Sequence, residues 1–229
     1  MKKCLIKFLI AFICLGASNM VVSQNQGLNL AEIDLNIKNR SKTVEAEGSP
    51  YITEEFLALR LENFKNKIYS GRYNAYNGEM EIKLGEDKII ALDNNTDYTI
   101  TFIASLKKYK TYTYKDENLD LQRGFLVVVK EDSSFTLLKK EQIKFQDKVK
   151  PRSSYEKEKA AKFIKESDTY YLNFNNETKI LPQNKKQFLN SFPEYEVKLK
   201  SYIKKNKLSL KNENDLITIA SYLSSISKE

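Results

Sequence analysis

Between residues 67 and 146 the chain repeats one unit: a short run of alternating apolar and polar residues, then a polar turn. Asn77-Gly78 supplies two positions that tolerate positive φ, as a two-residue type I′ hairpin requires. It joins an aromatic-rich strand over 68–76 to a return strand with Met80, Ile82 and Leu84 on one side and Glu79, Glu81 and Lys83 on the other. Further strands are expected over 88–92, 98–104, 108–114, 124–130 and 135–140, with polar turns between them. No helical pattern of crossover length intervenes, which excludes a parallel α/β sheet. The spacing predicts an antiparallel meander, sandwich or open barrel with one face toward water.

The flanks extend this reading. Residues 53–66 fit a short helix or a strand, and the alternation of Leu57, Leu59 and Leu61 favours the extended form. A basic connector over 147–157 leads to strands expected at 160–164 and 169–174, and Asn175-Asn176 turns the second into 178–181. The period then changes. Asn184 is an N-cap with Gln187 as its capping-box partner, and Ser191 with Glu194 marks a second helix start, Pro193 lying in its first turn. Tyr195, Leu199, Tyr202 and Ile203 form one apolar stripe, Asn206 ends that helix, and Asn212 caps a last one carrying Leu216, Ile219, Ala220 and Leu223. The fold class expected is α+β: an antiparallel β domain over 50–182 and a small C-terminal bundle of two to three short helices over 183–229, packed on it.

The N-terminus reads as an export signal. Lys2, Lys3 and Lys7 precede or interrupt an apolar run over 5–15, and Val21-Val22-Ser23 closes a segment of signal-peptide form. The run is shorter than the roughly 20 residues of a membrane-spanning helix. Residues 24–49 are expected as a polar, flexible leader in which Leu28, Leu30, Ile33, Leu35 and Ile37 are able to form one peripheral strand or helix, with order beginning at Gly48-Ser49-Pro50-Tyr51. Both cysteines, Cys4 and Cys14, lie in the signal segment, and Ile13 stands where a lipid-attachment site needs a small residue. With no histidine in the chain, residues 24–229 lack the usual ligands of zinc, copper and iron and the means for Ser-His-Asp or Cys-His catalysis. Carboxylate chemistry and oxygen-ligand calcium sites survive this exclusion; no cofactor is expected. The net charge of +8 falls by three with the signal lysines. That basic balance fits a lysine-rich solvated surface first, or an anionic glycan or acidic membrane surface, while export disfavours nucleic acid; the partners expected are another envelope protein or an anionic glycan.

Gly48-Ser49-Pro50-Tyr51, the stretch from Arg72-Tyr73-Asn74-Ala75-Tyr76 through Glu81, and Ile203-Lys204-Lys205-Asn206-Lys207-Leu208 resemble uncharacterised secreted proteins of Bacteroidetes-type bacteria. The resemblance implies an envelope or secreted location. It carries over no activity and no catalytic residue.

Two segments are the interaction candidates. As a strand, 107–115 puts Lys108, Lys110, Tyr112 and Tyr114 on one face, where aromatics beside cations can stack sugars and attract anions; tyrosine and threonine also simply favour pleated surfaces. In 68–76, Tyr69 and Tyr73 share one face and Arg72 and Tyr76 the other, so Arg72 can reach a carboxylate or stack on Tyr76. Glu79 and Glu81 share a strand face and read as its solvated side. The acidic stretches 93–97 and 116–120 lack the spacing of an EF-hand and read as turns, and the helical lysines read as a solvated face. The function expected is a secreted or periplasmic, non-catalytic binding or structural module. The alternative is a carboxylate-dependent hydrolase or glycan-binding protein at the cell envelope.

Overall fold

Alternation sets the ladder, and the ladder sets two faces, because residues directly opposite in antiparallel strands share a face. The computed structural model describes residues 35–227 except 43, 63, 65, 66, 87, 152–158 and 176. The expected signal segment and the first part of the leader lie outside the described residues, as does most of the second half of the basic connector.

The strands are β1 (Ile37–Lys38), β2 (Leu57–Leu61), β3 (Ile68–Asn74), β4 (Glu79–Lys83), β5 (Ile89–Leu92), β6 (Thr99–Phe102) and β7 (Lys108–Lys115). They continue as β8 (Leu121–Glu131), β9 (Phe135–Lys140), β10 (Ile143–Gln146), β11 (Lys162–Lys165), β12 (Thr169–Phe174) and β13 (Glu177–Ile180). Helices α1 (Lys185–Asn190), α2 (Glu196–Lys205) and α3 (Glu213–Ile226) follow, with a 3₁₀ turn at Pro193–Tyr195 leading into α2. The result is an α+β fold. Among the described residues eleven strands form one open sheet in the order β1-β5-β4-β3-β2-β6-β7-β8-β9-β12-β13, and β10 and β11 pair separately. Among the described residues every strand pair is antiparallel.

One face of the first half holds the main core. Leu59, Tyr73, Met80, Ile82, Ile100, Tyr109 and Phe125 meet there. The same face continues into β9 and β12, where Leu137 and Leu172 meet Phe188, Leu199, Ile203, Leu216 and Leu223 of the helices. On the opposite face Tyr114, Leu126, Leu138 and Tyr171 form a third cluster, joined by Ile180 of β13, which approaches β7 as the end of the sheet curls back. Leu137 and Leu138 are thus buried on opposite faces of β9, as expected of a strand covered on both sides. A bulge between Val128 and Lys130 shifts the β8–β9 register and turns Val129 toward the helix cluster.

The expectations for one turn and for one sheet face are corrected. The β3–β4 connection is not a two-residue turn: Asn74 pairs with Glu79, leaving residues 75–78 as the loop. The Asn74 side chain accepts the Asn77 N–H at 3.0 Å, a local bond that competes with ladder pairing. Gly78 takes the positive φ of +68°, and Tyr76 lies in the turn rather than the strand.

The face bearing Glu79 and Glu81 is not solvated. Their relative exposures are 3% and 1%, because the chain before β2 lies over them. Ser41 donates its N–H and hydroxyl to Glu79 at 3.0 and 2.8 Å, and Lys38 sits 3.3 Å away. Glu81 accepts the Arg72 Nε–H at 3.1 Å and the Tyr51 hydroxyl at 3.3 Å, with Arg40 at 3.8 Å. The leader contributes to the same cover. Its described part pairs β1 with β5, buries Leu35 in the main core, accepts the Tyr98 hydroxyl on Asn36 O at 2.7 Å and bridges Glu47 to Lys162.

In the helical unit Asn184 accepts the N–H groups of Lys186 and Gln187, and Asn212 accepts that of Asp215. Ser191 is no N-cap: it ends α1, its hydroxyl donating to Gln187 O. After Asn206 the chain closes α2 in a Schellman motif, with Lys207 at φ +54° and the Leu208 N–H on Ile203 O at 3.0 Å. Among the described residues no helix is long and apolar enough to cross a membrane.

Candidate ligand-binding cleft

One cleft among the described residues has a volume of about 570 Å³. It opens where the β3–β4 turn, the end of β7, the start of β8 and the link from β9 into β10 converge, with Asn94 and Glu166 on its rim. A smaller cleft of about 210 Å³ adjoins it, sharing Lys140, Gln142 and Glu166 and adding Asp116, Glu117 and Asn118.

Of the seven residues expected to bind, three meet here: Tyr73, Tyr76 and Tyr114. Tyr73 and Tyr114 are buried and form wall, whereas Tyr76 is 37% exposed. The Tyr76 ring stands edge-on to Phe163 at 5.3 Å and tilted against Phe145 at 6.1 Å. Tyr76 and Phe145 both line the cleft and neither is buried. The other four lie elsewhere. Arg72 is sandwiched between Tyr51 and Phe56 at 3.6 and 4.2 Å, so its stacking partners are these rings and not Tyr76. Lys108 faces Glu62 at 3.8 Å, Lys110 pairs with Glu131, and Tyr112 packs into the third cluster.

Glu141 is the buried acid of the wall. Lys107 donates to both its oxygens at 2.7 and 2.8 Å, and Tyr109 donates to one of them. Burial first, and then the Glu141 charge, push the Tyr109 hydroxyl far above its ordinary range; burial does the same to Tyr73. Both phenols are neutral at physiological pH and act as donors, not bases. Glu166, the cleft's other acid, lies 3.9 Å from Lys144. The acidic turns follow their expected chemistry: Asp93 accepts from Asn95, and Asp116 accepts the N–H groups of Asn118 and Asp120.

Two glycines in strand interiors differ in what surrounds them. A Cβ on Gly71 would stand 2.6 Å from Leu59 Cδ2 and 2.7 Å from Glu81 O, so close packing demands glycine there. A Cβ on Gly124 would meet only Tyr114, at 3.6 and 4.0 Å, which is ordinary contact. Gly124 lines the cleft, and the packing around it leaves room for a Cβ. A strand-interior glycine weakens the strand and marks places where a ligand or backbone approaches closely. Reasoning from sequence passed over Gly124 and Glu141. The glycine had a signal, an isolated Gly within an apolar strand; the acid, standing alone between two strands, had none.

No protein-family model matches this chain, and no curated protein and no solved structure is significantly similar to it.

Proposed function

We propose that this protein is an exported, secreted or periplasmic, non-catalytic binding module whose site is the cleft beneath the β3–β4 turn. The observation that carries the reading is Gly124: the chain keeps a destabilising glycine in a strand where only the cleft benefits from the missing side chain. The volume suits a small or extended ligand. The absence of histidine and the commitment of Glu141 to Lys107 and Tyr109 favour binding over hydrolysis, since a general acid needs a proton free to give.

The test is a ligand screen by amide NMR on the purified protein and its Gly124→Val variant. Sugars, peptides and lipids are each added, and shifts are read at Asn77, Gly78 and Gln142. The expected result is a ligand that moves these resonances in the parent and not in the variant. No movement with any class would sink the reading.

A further inference from the structure

Resting on that reading, we infer that the cleft takes an oligosaccharide in which a single carboxylate is set among neutral rings. Tyr76 and Phe145 are the aromatic residues of the lining that are not buried, and a flat apolar ring suits the C–H face of a pyranose. Asn77, Gln122 and Gln142 stand beside them. Gln142 donates its Nε2–H to Thr169 at 3.1 Å, which orients the amide and leaves its carbonyl as an acceptor. Amides of this kind both donate to and accept from sugar hydroxyls.

The charges select within that class. Arg123 pairs with Asp97 and donates to Asn94 O and Thr113 Oγ1. Lys144 faces Glu166, and Lys107 holds Glu141. Lys140 differs: its ammonium lies 5.3 Å from the Tyr114 ring, and among the described residues it has no carboxylate partner. It stands at the junction of the two clefts and is the cation left for a ligand anion. Asp116 and Glu117 in the adjoining cleft repel a densely charged chain, so the pattern favoured is acid alternating with neutral. Phosphate is disfavoured because the guanidinium that would fork onto it is already engaged. Lipid is disfavoured by the amide and charged walls.

The experiment titrates the purified protein with tetrasaccharides of hyaluronan, unsulfated chondroitin and heparosan, each alternating a uronic acid with a neutral amino sugar. Their carboxyl-reduced counterparts, tetragalacturonate and a tetrapeptide are run beside them. Binding is read by amide NMR at Asn77, Gly78 and Gln142. At least one alternating acid is expected to bind about fivefold more tightly than its reduced counterpart, the upper end of what one exposed ion pair supplies. Lys140→Met should erase that difference, and Gly124→Val should abolish both complexes with the circular dichroism spectrum unchanged. Equal or tighter binding of the neutral or densely charged sugars overturns the charge selection and leaves the binding module intact. Binding of the tetrapeptide with no sugar bound overturns the ligand class alone. If this panel and the wider screen both leave the cleft resonances unmoved, the binding reading falls with it.

Discussion

The Glu81 carboxylate accepts the Arg72 Nε–H at 3.1 Å on a sheet face whose sequence pattern assigns it to solvent. The pair is directly opposed across β3 and β4. Arg72 is further held by its Nη1 donation to Glu54 O at 2.8 Å and by two aromatic faces. Removing one partner of a buried ion pair costs about 3–5 kcal/mol, and of the Glu81 partners only the Tyr51 hydroxyl at 3.3 Å and Arg40 at 3.8 Å would remain. Arg72→Ala is therefore expected to lower unfolding free energy by about that much in urea. Adding Glu81→Gln should recover part of the loss; a single-mutant loss below about 1 kcal/mol would contradict the burial.

The two strand glycines predict opposite signs. Gly71→Ala forces a methyl group against the Glu81 carbonyl and Leu59, an overpacking that costs about 1–3 kcal/mol. Gly124→Ala meets only ordinary contact and should gain about 0.5–1 kcal/mol by removing glycine's excess unfolded-state freedom. Chemical denaturation of both variants decides it. A stabilised protein with a narrowed cleft is the expected trade between stability and function.

Acid should weaken the docking of helix α3 on the sheet. Burial pushes the Glu213 carboxyl up, but hydrogen bonds from Lys139 and Tyr170 and the lysine charges outweigh it and hold it below its ordinary value. A lowered folded-state value contributes stability above the unfolded carboxylate range, and that stability is lost as pH falls through the folded value. Glu213→Gln should flatten the acid limb of melting temperature against pH. Asp168 has the opposite sign: burial raises it, and its Oδ1 lacks a hydrogen-bond partner among the described residues. Asp168→Asn should stabilise the protein at pH 7, with the gain vanishing as pH falls below the carboxylate range. A constant difference between variant and parent from pH 7 to pH 3 would contradict this assignment.

The helix ends offer a local check. Lys207 holds a left-handed conformation that costs a residue with a Cβ roughly 1–2 kcal/mol, so Lys207→Gly should stabilise the protein. Asn212→Ala removes the acceptor for Asp215 N–H and should cost about 1 kcal/mol. Thermal melts followed at the helix band read both.

What was legible in the chain was local. Alternation placed the strands, and Asn184, Asn206 and Asn212 marked helix ends, because a strand's two faces and a helix's unpaired N–H groups are settled by residues a few positions apart. The α+β class followed from those periods. Tertiary structure decided what lies over each face. Glu79 and Glu81 occupy the polar positions of an amphipathic strand, and only the chain around Ser41 and Tyr51, some 30 to 40 residues away, turns that face inward. The cleft has the same origin: Tyr76, Tyr114, Gly124, Lys140 and Gln142 come from separate strands and turns. Single-sequence periodicity reports which side of its own strand a residue occupies; it holds no information on which distant segment closes over that side.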